Sequence, residues 1–112
     1  MKINSVDLDL LEQFNIESYE EDGTQTVKQI SKEILSQGAW ATLIFKFVEL
    51  DKTTGEWKEP QALIQRYQKK NGSYKIYSKH AIPSPEHART LIEILSRWFP
   101  ENTENSEENY EF

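Results

Sequence analysis

Apolar positions change spacing twice along this chain of 112 residues. In residues 1–24, Leu8, Leu10, Leu11, Phe14 and Ile16 stand among acids; they make one short amphipathic helix or stay mobile until a partner arrives. "EEDG" at 20–23 reads as a break. Val27, Ile30, Ile34 and Leu35 then recur at helical spacing, and Gly38 stands where a helix C-cap belongs, so the spacing predicts a helix over 26–37. "TVKQIS" alone would read equally well as a strand.

From residue 39 the period shortens to two. "AWATLIFKFVELD" (39–51) is β-branched and aromatic without a breaker and predicts a strand. "KTTGE" supplies a turn, with Gly55 at the left-handed position of a three-residue loop. "WKEPQALIQRYQKK" (57–70) predicts a second strand, with Pro60 marking an edge or bulge. Asn71-Gly72 is a strong hairpin signal, and "SYKIYSKHAI" (73–82) predicts a third strand. Ser84 and Pro85 then stand as N-cap and first residue of a helix whose face is Ala88, Leu91, Leu95 and Trp98, with Ile92 and Phe99 beside them. Pro100 ends it. "ENTENSEENYEF" is acidic, polar and expected to be disordered.

The expected fold is therefore α+β: a curved antiparallel meander of at least three strands, a C-terminal amphipathic helix, an additional N-terminal helix and an acidic tail. The expected organisation is an acidic segment at 1–25, a domain at 26–99 and a tail at 100–112. Three strands under one helix make a thin core, which points to a homodimer or a packed N-terminal helix.

Turn lengths fix the expected registers. Asn71-Gly72 sets Gln68 opposite Lys75, Arg66 opposite Tyr77 and Ile64 opposite Lys79. A loop of Thr53, Thr54 and Gly55 sets Lys52 opposite Glu56, Phe45 opposite Leu63, Thr42 opposite Arg66 and Trp40 opposite Gln68. One face then collects Ala41, Leu43, Phe45, Phe47, Leu63, Tyr67, Tyr74, Ile76 and Ile82 as a floor for the C-terminal helix. The other face carries Lys46, Arg66, Lys75 and Lys79 around Tyr77, with Trp40 and Gln68 towards one end.

Charge sharpens that picture. The net of −6 divides into −5 over residues 1–37, +4 over 38–99 and −5 over 100–112. A basic middle bearing exposed rings suits unpaired nucleic acid, because cations meet phosphates while rings stack on bases of any identity. Ordinary solvent-facing strands also carry lysine, which resists edge-to-edge aggregation.

The stretches "WATLIFKFVELDKTTGEWK", "IQRYQKKNGSYKIYSK" and "AIPSPEHARTLIEIL" give residues 39–99 a pattern that resembles the single-stranded-DNA-binding domain of the transcriptional coactivator family called positive cofactor 4. That resemblance implies a curved antiparallel sheet followed by one helix, a homodimer, and β-ribbons presented to unpaired DNA. Carried over by position, the ribbon contacts fall on Lys46, Arg66, Lys75, Tyr77 and Lys79. Two features depart from the family pattern. Segment 1–37 is additional, and Lys79-His80-Ala81 stands where a glycine and paired lysines commonly precede the family's helix. The tail "EENYEF" is similar to the acidic, aromatic-capped ends of bacterial and phage single-stranded-DNA-binding proteins. Tyr110 and Phe112 are its candidate partner-binding residues, and its acids could compete for the basic middle.

Other chemistry finds little footing. Cysteine is absent, which excludes disulfides, thiolate metal sites and cysteine nucleophiles. His80 and His87 are the only histidines, and no partner set accompanies them. Glu20, Glu21 and Asp22 cluster on a segment unsuited to hold a reacting geometry. Gly23, Gly38, Gly55 and Gly72 are isolated turn glycines, not a phosphate loop. The expectation is a non-enzyme without cofactor or metal. No run is long enough for a membrane span, and the start lacks a signal-peptide order, so the cytoplasm is the default setting. The alternative function is a protein-interaction module using the sheet edge or the N-terminal "DLDLLEQF" segment, with Trp57 and Trp98.

Overall fold

The computed structural model describes residues 5–16, 19–21 and 23–101. Its elements in order are helix α1 (Ser5–Glu12), strands β1 (Tyr19–Glu21), β2 (Thr24–Ser36), β3 (Trp40–Glu49), β4 (Gln61–Lys70) and β5 (Ser73–Ile82), and helix α2 (Pro85–Trp98). The strands form one antiparallel sheet in chain order. The expected α+β class and antiparallel meander hold.

The expected helix over 26–37 is instead β2, which pairs along β3. Its register shifts twice, leaving Ile30 and Leu35 as the extra residues of two β-bulges. Each bulge resets the two-residue alternation, which is what gave Val27, Ile30, Ile34 and Leu35 their helical spacing. The bulged residues face solvent, Ile30 at 48% and Leu35 at 70% exposure. Gly38, at φ +125°, turns the β2–β3 hairpin; it does not cap a helix.

The N-terminal segment takes the helical alternative, and it forms the core. Leu11 of α1 is fully buried against Ala41, Leu43 and Phe45 of β3, Tyr67 of β4 and Tyr74 of β5. Phe14 stacks on Tyr67 with ring centroids 4.9 Å apart and meets Tyr74 edge-on at 6.4 Å. Two polar side chains of β2 hold this segment down. The Lys32 ammonium donates to the carbonyls of Leu11 (3.2 Å), Glu12 (2.8 Å) and Phe14 (2.7 Å), closing the C-terminal end of α1 where free carbonyls and the helix dipole favour a cation. Burial lowers the Lys32 pKa from its ordinary value, and the nearby Glu12 carboxylate opposes that shift. Gln29 accepts from the Ile16 amide at 2.8 Å and donates to Asn15 Oδ1 at 3.0 Å.

Thus α1, not α2, covers the apolar floor. Ile76, expected in that floor, is 52% exposed, because β5 is an edge strand that the core cluster reaches only through Tyr74. α2 keeps its predicted start: Ser84 Oγ accepts from the His87 amide at 3.1 Å, and Pro85 opens the helix. It has no buried residue along its length. A radius of gyration of 17.3 Å, against ~13 Å for a compact chain of this length, reflects a thin sheet with a projecting helix.

Tyr67 tests the seal under α1. It is 1% exposed and its hydroxyl donates to Gln65 Oε1 at 2.6 Å. Burial pushes its phenol up to about 12. The folded value lies above the unfolded value of ~10. The resulting stability is therefore complete below pH ~10 and is lost as pH rises through about 12. An alkaline titration of tyrosinate absorbance should show a late step that Tyr67→Phe removes. If all five tyrosines ionise together near pH ~10 in the folded protein, the seal does not exist.

Candidate nucleic-acid interface

The candidate surface is the sheet face opposite α1, and two hairpins position it. At Asn71-Gly72 both turn residues have positive φ, +53° and +81°, the geometry whose twist matches two antiparallel strands. At the β3–β4 turn the closing pair is Asp51 and Glu56, with the Asp51 amide donating to the Glu56 carbonyl at 2.8 Å. The loop is therefore four residues, 52–55, and Lys52 does not face Glu56 as expected. Leu50 bridges Trp57, and the one-residue offset is absorbed at 58–60, beside Pro60, before β4 begins. Beyond it the expected register is recovered: Phe45 faces Leu63, Ile44 faces Ile64, Thr42 faces Arg66 and Trp40 faces Gln68.

This pairing brings Trp40, Arg66 and Tyr77 together from three successive strands. The Arg66 guanidinium lies 4.2 Å from the centroid of the Trp40 ring and 6.0 Å from that of Tyr77. The two rings meet edge-on, 4.8 Å apart at 87°. Arg66 is exposed, and Trp40 and Tyr77 are 36% and 61% exposed. Lys75 faces Gln68, which faces Trp40, so an amide and an ammonium extend the cluster towards the Asn71-Gly72 end.

Lys46 lies apart from this group. It pairs with Ala62 and Ser31, four residues along β3 from Thr42, or ~14 Å by strand rise. Glu33, opposite Ile44, places an acid on the intervening row.

Lys79 does not join the cluster. The β4–β5 register shifts between Arg66 and Tyr67, so Arg66 faces Ser78, Gln65 faces Lys79 and Ile64 faces His80. Tyr77 is the extra residue of this bulge, and every later residue of β5 exchanges faces relative to the unbulged alignment. Alternation then sets Lys79 on the α1 side, with Gln65. It also sets Ile82 on the outer side, opposite Ala62. There Ile82 lines a groove with Ile44, Lys46, Ala62, Pro85 and Ala88. The sequence signals neither this bulge nor the groove, since Tyr77 and Ser78 carry no glycine or proline marker. Tyr110 and Phe112 lie outside the described residues.

An exposed ring can stack on a base while a guanidinium beside it meets a phosphate, the combination that single-stranded nucleic acid offers. Among the described residues no three metal-ligating side chains gather, and no helix is long and apolar enough to cross a membrane. Fold and site together define an α+β antiparallel-meander domain with a basic, aromatic outer face. No protein-family model, curated protein or solved structure matches the chain.

Proposed function

We propose that this protein is a non-enzymatic binder of single-stranded nucleic acid, DNA in the first instance, with little sequence preference, and that it works as a homodimer. What carries the reading is the solvent-facing triad of Trp40, Arg66 and Tyr77, in which one guanidinium lies over Trp40 beside a second, edge-on ring. Lys75 and Gln68 extend it, and Lys46 supplies a further cation along β3. The resemblance of 39–99 to the positive cofactor 4 domain agrees with this assignment for Lys46, Arg66, Lys75 and Tyr77, but the bulge removes Lys79 from the set. The role in transcription, replication or repair follows from whichever unpaired strand is bound.

The alternative is a protein-interaction module using the sheet edge or the N-terminal helix; its helix route is disfavoured because Leu11 and Phe14 are occupied in the core.

Titration of a fluorescent oligo-dT should show binding at low salt, with the logarithm of affinity falling against the logarithm of salt at a slope of about −2, for three cations at ~0.7 each. A duplex of equal length should bind more weakly, since its bases are already stacked. No binding at ~50 mM salt, or a preference for the duplex, would overturn the reading.

A further inference from the structure

The acid on the outer face is what a purely phosphate-binding surface does not explain. Glu33 stands opposite Ile44, and Lys46 stands opposite Ser31 and Ala62. The two are therefore diagonal neighbours across β2 and β3, a separation of ~7–8 Å in an antiparallel pair. Both are exposed, and among the described residues neither makes a hydrogen bond or an ion pair. A carboxylate beside the path from the triad to Lys46 repels phosphate. A strand crossing here is better served by setting down a base.

A place for that base lies alongside. Glu33 and Lys46 line one end of the groove whose floor and far wall are Ala62, Ile82, Pro85 and Ala88. Ile82, turned outward by the bulge at Tyr77, is 5% exposed and makes the floor firm. The volume of about 360 Å³ is at the small end of the ~300–1,000 Å³ of ligand sites, room for one flat ring system. Apolar walls with polar groups at one end are how an unstacked base is held, its faces on apolar side chains and its edge on hydrogen bonds. The groove is also continuous with the nucleic-acid surface, four residues or ~14 Å along β3 from the triad.

The two charges choose among the bases. A carboxylate only accepts and an ammonium only donates. Guanine offers a carboxylate two adjacent donors, N1–H and N2–H₂, and its neighbouring O6 and N7 accept from lysine. Adenine and cytosine offer one amino group beside a ring nitrogen whose lone pair repels the second carboxylate oxygen. Thymine offers a single N3–H between two carbonyls.

We propose that the groove is a guanine subsite on the path of the bound strand. Glu33 accepts from N1–H and N2–H₂, Lys46 donates to O6, and the ring lies between Ala62 and Ile82 on one side and Pro85 and Ala88 on the other. This rests on the single-stranded reading above and adds one position of base choice to a surface otherwise indifferent to sequence. Where guanine is absent, as in oligo-dT, Lys46 meets a phosphate instead.

The test compares a fluorescent oligo-dT with the same strand carrying one central dG. The dG strand should bind about tenfold more tightly, the discrimination of one good bidentate contact. A central dA or dC should stay within about twofold of oligo-dT, and hypoxanthine, which lacks the 2-amino group, should lose most of the gain. Glu33→Gln should abolish the advantage while oligo-dT binding persists. Ala62→Phe, which fills the groove, should do the same, and the late Tyr67 ionisation reports that both variants are folded. No advantage for dG, an equal gain from dA or dC, or an advantage that survives Glu33→Gln overturns the subsite. Displacement of the dG strand by an equal concentration of free guanosine monophosphate also overturns it, assigning the groove to a mononucleotide. In each case the oligo-dT arm scores the nucleic-acid surface separately, so the two failures are told apart.

Discussion

Alanine at Leu11 should lower folding stability by about 2–5 kcal/mol, the range for emptying a fully buried leucine site. That is a large share of the ~5–15 kcal/mol that holds a typical domain together. The expectation follows from how α1 is held. An eight-residue helix is too short to persist alone in water, so its stability comes from docking. Leu11 is 0% exposed and touches the aromatic and aliphatic residues of three strands, while Phe14 stacks on Tyr67 and Lys32 closes the helix end. Removing the leucine leaves a cavity between helix and sheet, and α1 loosens from β3–β5 as a unit. Urea unfolding would report the loss as a lower midpoint, and hydrogen exchange would show faster amides across 10–16 in the remaining folded protein. A change below ~1 kcal/mol, small even against the mean effect of ordinary substitutions, would mean that α1 does not form the core.

Replacing Arg66 and Tyr77 together by alanine should weaken oligo-dT binding by about 30-fold or more, or ~2 kcal/mol. One stacked base is worth ~1–3 kcal/mol, and the variant also loses the central cation and leaves Trp40 without its partners. Both side chains face solvent, so the folding cost is small, ~0.5–1 kcal/mol for the cation–π contact. The informative control is a pair of lysines four residues apart. Lys75→Ala should weaken binding, whereas Lys79→Ala should leave it within about twofold, because the bulge at Tyr77 turns Lys79 to the α1 face. Equal losses at the two lysines would show that β5 runs without the bulge when nucleic acid is bound.

These two experiments separate what was legible in the chain from what was not. The β3–β4 partners came out as expected only because two departures cancel: the loop has four residues, not three, and the one-residue offset at 58–60 restores the count. The Asn71-Gly72 turn and the start of α2 were legible directly, since Asn71-Gly72, Ser84 and Pro85 act on their own backbone. Counting from the turns put Trp40, Arg66 and Tyr77 on one face, although Arg66 faces Ser78 and Tyr77 reaches the group as a bulged residue. Lys79 was miscounted: counting assumes one residue opposite one, and Tyr77 breaks that rule. β2 was misread for a related reason. Ile30 and Leu35 are additional residues in the ladder, and their side chains project out of the alternation, which made a bulged strand read as a helix.

The chain's own order of residues thus decides its turns, its alternating strands, its capped last helix and the chemistry of its outer face, because each depends on neighbours a few positions away. Which helix covers the sheet, where the strands bulge and which face receives Lys79 are decided only when distant segments meet. A bulge accommodates the curvature of a whole sheet, and a helix buries its apolar side only where the connections before and after it let it reach. The two-residue link Pro83–Ser84 leaves β5 on the outer side at Ile82, and so it carries α2 away from the floor that α1 fills.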